Sequence, residues 1–134
     1  MASAARYSPN GDKNHKTVVL VVEDEVNART AAAEYLREAG FIVIEAWNGD
    51  EAVAIFRSQT HIDVVFSDVR MPGSMDGFTL ERWIAEHYPA TPVLLTSGVL
   101  EIRGNAISDY GRRFMSKPYI FADVEQRIRD LIGY

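Results

Sequence analysis

Apolar residues in this chain fall into short continuous runs separated by longer stretches with helical spacing. Val18 to Val22 is an uninterrupted β-branched and aliphatic run, which predicts a strand buried on both faces. Ala28, Ala31, Ala32, Tyr35, Leu36 and Ala39 then recur along one helical face, and Gly40 supplies a stop. The unit repeats. Phe41 to Ile44 predicts a second strand, and Ala52, Ile55 and Phe56 mark a helix after the Asn48-Gly49 turn. Asp63 to Ser67 predicts a third strand, a Pro/Gly loop follows, and Leu80, Trp83, Ile84 and His87 align on a helix. Pro92 to Thr96 predicts a fourth strand, with a weaker helical stretch from Glu101 to Asp109. Arg113 to Ser116 predicts a fifth, and Phe121, Val124, Ile128 and Leu131 a last amphipathic helix.

Five continuous apolar strands alternating with five helices predict an α/β fold with a parallel sheet covered on both faces, because parallel neighbours need crossovers and the crossovers here are helical. Ligands of such sheets bind beyond the carboxyl ends of the strands, where strand order reverses. Residues 1–16 hold Ser, Pro, Asn and Gly without apolar periodicity and are expected to form a mobile tail, leaving 17–134 as one domain.

Composition narrows the chemistry. The chain has 134 residues, no cysteine and a formal charge of −5. A domain of this size buries roughly two-thirds of its extended surface without needing staples. Thiol nucleophiles and cysteine metal sites are excluded. The acidic balance argues against direct nucleic-acid binding, and no run approaches the roughly 20 apolar residues of a membrane span. A soluble, cytoplasmic protein is expected.

The strand ends carry the candidate chemistry. Glu23, Asp24 and Glu25 follow the first strand, Asp68 ends the third, Thr96-Ser97-Gly98 the fourth, and Lys117-Pro118 the fifth. Taken singly, an acidic pair after a strand reads as a helix N-terminal charge, a lone Asp as an Asx turn, Ser97 as a local backbone partner and Lys117 as a solvated cation. Together, the carboxylates of Glu23, Asp24 and Asp68 and one ammonium on a rim leave about two uncompensated charges, which a hard divalent cation offsets.

In those residues the sequence resembles a receiver domain of the two-component response regulators, over Thr17 to Tyr134. The likeness rests on Val19 to Glu25, on Ser67-Asp68-Val69-Arg70-Met71-Pro72-Gly73 with Met75-Asp76-Gly77, on Val93 to Gly98, and on Phe114-Met115-Ser116-Lys117-Pro118. The resemblance implies a flavodoxin-like doubly wound sandwich with strand order 2-1-3-4-5. It implies Asp68 as phosphoacceptor, supplied by a histidine kinase or phosphotransfer protein. It implies Mg²⁺ held by Asp24, Asp68 and the backbone carbonyl of Arg70, with Glu23 reaching the ion through water. Ser97, five residues after Pro92, stands at the family's hydroxyl position, with Thr96 its neighbour and alternative; Phe114 stands at its switch aromatic. A cis Lys117-Pro118 bond is the family habit. Three departures stand out: Glu23 in place of the commoner Asp, Ser74 inserted in the loop after Asp68, and an interval from Ser97 to Lys117 about two residues short.

Other classes remain to be weighed. A phosphatase with an aspartyl-phosphate intermediate has a second acid two residues after its nucleophile, where this chain has Arg70. Neither a Gly-x-x-x-x-Gly-Lys-Ser/Thr nor a Gly-x-Gly-x-x-Gly cradle occurs for a nucleotide or flavin. A pseudo-receiver used only for contact is a third reading, as is a phosphate sink or relay. With little chain beyond the last helix, output is expected through an unidentified protein partner rather than an attached module. By family analogy the contact face is the fourth helix, fifth strand and fifth helix, which also offers a homodimer surface.

Overall fold

The computed structural model describes residues 15–98 and 111–133. In chain order these form β1 (Val18–Val22), α1 (Val26–Glu38), β2 (Ile42–Ala46), α2 (Gly49–Arg57), β3 (Val64–Asp68), α3 (Gly77–His87) and β4 (Val93–Ser97). A 3₁₀ turn (Gly111–Arg113), β5 (Phe114–Ser116) and α4 (Phe121–Ile132) complete them. The helix expected over Glu101 to Asp109, and with it the shortened interval, lies outside the described residues.

All strand pairs are parallel, in the order 2-1-3-4-5. Alternation along the strands sends side chains to two cores. Leu20, Val22, Val65, Leu95 and Phe114 pack with Ala52, Phe56, Leu80 and Ile84 of α2 and α3. Val19, Val21, Phe66, Leu94 and Met115 pack with Ala32, Leu36, Val124 and Ile128 of α1 and α4. Each fully buried aliphatic side chain contributes roughly 2 kcal/mol of transfer free energy, so the strands' continuous apolar runs follow from burial on both sides.

Strand bounds shift from the sequence expectation for identifiable reasons. β2 runs on to Ala46 because its pairing with β1 continues through Val21↔Glu45 and Val22↔Ala46. Glu45 is tolerated there since Arg29 and Arg37 pair with its carboxylate at 3.3 and 3.2 Å. β3 includes Asp68 because that residue is in register with Thr96 of β4. The starts of α1, α2 and α3 are fixed by side-chain caps: Glu25 accepts the N–H of Ala28, Asn48 that of Glu51 and Asp76 that of Thr79. β5 is short but anchored, because Arg127 Nη1 donates to the carbonyls of Arg112 and Phe114, both at 3.0 Å. No described helix is long and apolar enough to cross a membrane.

Candidate functional site

The order reversal at β1 and β3 places Glu23, Asp24 and Asp68 side by side, and β5 brings Lys117 to the same rim. Carboxylate oxygens of Glu23, Asp24 and Asp68 lie within 4.8 Å of one another. Asp68 is buried (7% exposed), Glu23 half-buried and Asp24 exposed. Lys117 Nζ donates to Asp68 Oδ2 at 3.0 Å. The Arg70 N–H reaches Asp68 Oδ1 at 3.4 Å, a long Asx-type contact. All five residues line one open cleft of about 550 Å³.

Of the three acids after β1, one takes the helix-cap role and two remain for the rim. Glu25 caps α1 through Ala28 at 2.6 Å. Its own N–H donates to Glu23 Oε2 at 3.0 Å, and Arg29 Nη1 donates to the Glu23 carbonyl at 2.9 Å. Sequence reasoning missed Arg29; its place one turn into the helix, with Glu45 across on β2, was the available signal.

Electrostatics follow from this crowding. Burial pushes the Glu23 carboxyl up to about 7; the Glu25 N–H pulls the other way and the negative Asp68 adds to the rise. Partial burial works against the Lys117 charge, but its hydrogen bond to Asp68 and the charges of Asp68 and Glu23 outweigh that and hold the ammonium above its ordinary value. The rim's own side chains are thus short of positive charge. Three carboxylates supplying hard oxygen donors, one of them exposed to water, fit a Mg²⁺ ion, which takes few protein ligands and keeps waters.

A pH dependence follows. An unfolded chain releases the Glu23 proton near 4.5, the folded one near 7, so in between the folded state holds more protons and its stability falls as pH rises. In urea titrations of Mg²⁺-free protein, the wild type is expected to lose stability relative to Glu23→Gln from about pH 4.5 to about pH 7 and to track it above. A constant difference across that range would overturn the assignment.

The hydroxyls at the end of β4 separate by face. Leu95 is in register with Phe114, and alternation puts Ser97 on that same face, while Thr96 lies on the face of Met115 and Leu94. Phe114 is buried at 6% exposure. The Thr96 hydroxyl is buried with no hydrogen-bond partner among the described residues. Backbone bonds tie these ends together: Lys117 N–H donates to Ser97 O and Val69 N–H to Thr96 O, both at 2.9 Å. The Lys117–Pro118 peptide is cis. The extra Ser74 is absorbed in an exposed bulge at left-handed Gly73 (φ 96°), after which Met75 returns to pack on Gly49.

A model of the response regulator receiver domain family matches residues 19–129. The chain is 35% identical over 94 residues to the autoinducer 1 sensor kinase/phosphatase LuxN of Vibrio campbellii, covering 69% of this chain and 11% of that protein. It is 31% identical over 124 residues to the transcriptional regulatory protein ResD of Bacillus subtilis, covering 90% and 50%. It therefore spans half or less of these curated relatives. The solved structure of the response regulator TrrA from Thermotoga maritima, in complex with Mg²⁺-BeF, superposes with a TM-score of 0.76 at 28% identity, covering 86% of this chain and 98% of that one.

Proposed function

Because the chain belongs to the response regulator receiver family of two-component systems, we propose that Asp68 accepts a phosphoryl group from a histidine kinase or phosphotransfer protein and that the acidic rim holds the Mg²⁺ this requires. One observation carries the reading: the buried Asp68 carboxylate is bonded to Lys117 and faces Glu23 and Asp24 on a rim assembled from three strand ends.

The chemistry demands little more than placement. An Asp68 oxygen attacks phosphorus, the bond from phosphorus to the donor's leaving atom breaks, and the donor keeps that electron pair, leaving an acyl phosphate on Asp68. Lys117 orients the carboxylate beforehand and afterwards has a phosphoryl oxygen within reach. Ser97 supplies a hydroxyl from β4 for a further oxygen, on the face it shares with Phe114, so a shift of that hydroxyl is felt where Phe114 packs. Asp24, Asp68 and the Arg70 carbonyl would hold the ion directly and Glu23 through water, and when bound it would offset charge on the phosphoryl oxygens of a loose transition state. Glu23 suits the indirect role because its Oε2 is already engaged by the Glu25 N–H.

The reading is tested by intact-mass measurement of the chain with acetyl phosphate. One phosphoryl adduct with Mg²⁺ and none with chelator is expected; no adduct in either condition overturns it. The ligand split has its own check. Asp24→Ala is expected to weaken Mg²⁺ binding tenfold or more, and Glu23→Ala several-fold less. Equal losses in the two titrations would contradict the division of roles. Signal output would then pass to a protein partner, with the face around β5 and α4 as the surface nearest the switch.

A further inference from the structure

A second cluster of ligating side chains lies at the opposite, amino end of the sheet. His15 precedes β1, while His61 and Asp63 sit just before β3. Their donor atoms lie within 4.8 Å of one another. His61 Nε2 is 2.7 Å from Asp63 Oδ1, His15 Nε2 is 3.4 Å from Asp63 Oδ2, and the two imidazole rings stand 6.1 Å apart at 59°. Asp63 is held in place from behind by the Val18 N–H, which donates to Oδ2 at 2.8 Å. Side-chain exposure is 14% for His15, 10% for Asp63 and 37% for His61, so the cluster is sheltered yet open on the His61 side. A cleft of about 170 Å³ borders it, with Thr17 and Pro92 on its walls.

From this geometry we propose that His15, His61 and Asp63 form a binding site for a divalent transition-metal ion of the Zn²⁺, Co²⁺ or Ni²⁺ class, distinct from the Mg²⁺ rim. Two imidazoles and one carboxylate are the donor set those ions favour and Mg²⁺ does not. Ligand atoms around a tetrahedral ion at about 2.0–2.1 Å sit about 3.4 Å apart, which is the His15 to Asp63 spacing. His61 holds the other carboxylate oxygen, Oδ1, at 2.7 Å, and that hydrogen bond gives way to a bond with the ion. Three protein ligands leave a position for water on the cleft side. The Val18 N–H supplies the outer support that fixes a ligating carboxylate. His15 lies before residue 19, where the family match begins, so the family match does not account for this ligand. Occupancy would pin the segment before β1 to the loop before β3, and it stabilises the fold by mass action.

The test is calorimetric titration of the full chain with ZnCl₂ in excess Mg²⁺, which keeps the acidic rim occupied. One ion per chain is expected, unchanged in Asp68→Asn and in His87→Ala, the third histidine. His15→Ala and His61→Ala are each expected to lose tenfold or more in affinity. Co²⁺ is expected to give the visible absorption of a tetrahedral ion, and His15→Ala to abolish it. Absence of stoichiometric binding, binding that survives both histidine variants, or binding lost in Asp68→Asn would each overturn the proposal. Failure here leaves the Asp68 reading intact, since the two sites share no residue.

Discussion

Asp68→Asn is expected to abolish the phosphoryl adduct formed with acetyl phosphate and Mg²⁺, while the protein stays folded. The amide keeps the shape of the carboxyl but lacks the anionic oxygen that attacks phosphorus, so loss is complete rather than graded. Folding should survive. Asp68 is buried, and its direct partner Lys117, 38% exposed, can turn its ammonium to water. Removing one of three crowded carboxylates also relieves the rim, since the Asp68 charge is among the causes that raise Glu23. The variant's Glu23 should therefore titrate lower than in the wild type, a second readout that a merely misfolded protein would not give. An equal adduct on both proteins would move the acceptor elsewhere and remove the basis of the proposed function.

Much of this was legible from residue order because the fold and the rim are encoded by different, simple signals. Continuous apolar runs such as Val18 to Val22 can be satisfied only by burial on both faces, so the layering followed from pattern. The rim residues stand at strand ends, where the parallel topology forces them together, and Asp68 with Lys117 needed no fine geometry to be found. What escaped depended on distances between segments remote in sequence. The cap among Glu23, Asp24 and Glu25 is the exception, a local matter of which acid stands three residues before the Ala28 N–H. His15 read as part of a polar tail, because its partner Asp63 is 48 residues away and meets it only once β1 and β3 are paired. For Ser97 and Thr96 the offset from Pro92 favoured Ser97, and only register adds that Ser97 shares the face of Phe114 while Thr96 turns to the opposite core.

Gly77→Ala is expected to destabilise the protein by about 3 kcal/mol, the upper part of the range for forcing a group into a packed site. The first residue of α3 is no ordinary helix position. A Cβ there would collide with the Asp68 carbonyl oxygen and stand 2.7 Å from Val69 Cα, and backbone cannot swing aside as the end of a side chain can. The approach is held closed by the Gly77 N–H, which donates to the Val69 carbonyl at 2.7 Å. Relief therefore requires moving either α3, whose Leu80 and Ile84 are fully buried, or the peptide that carries Asp68. Both outcomes are measurable. Urea unfolding should show the lowered midpoint, and Mg²⁺-dependent phosphorylation of the folded fraction should slow, because a displacement of the carboxylate weakens its alignment for attack. Gly73→Ala is the informative comparison. It strains a left-handed backbone in open space, so it should cost about 1 kcal/mol and leave the phosphorylation rate unchanged. Wild-type stability and rate in Gly77→Ala would show that the loop after β3 yields freely, and that the position of Asp68 is not set by the packing of α3 against it.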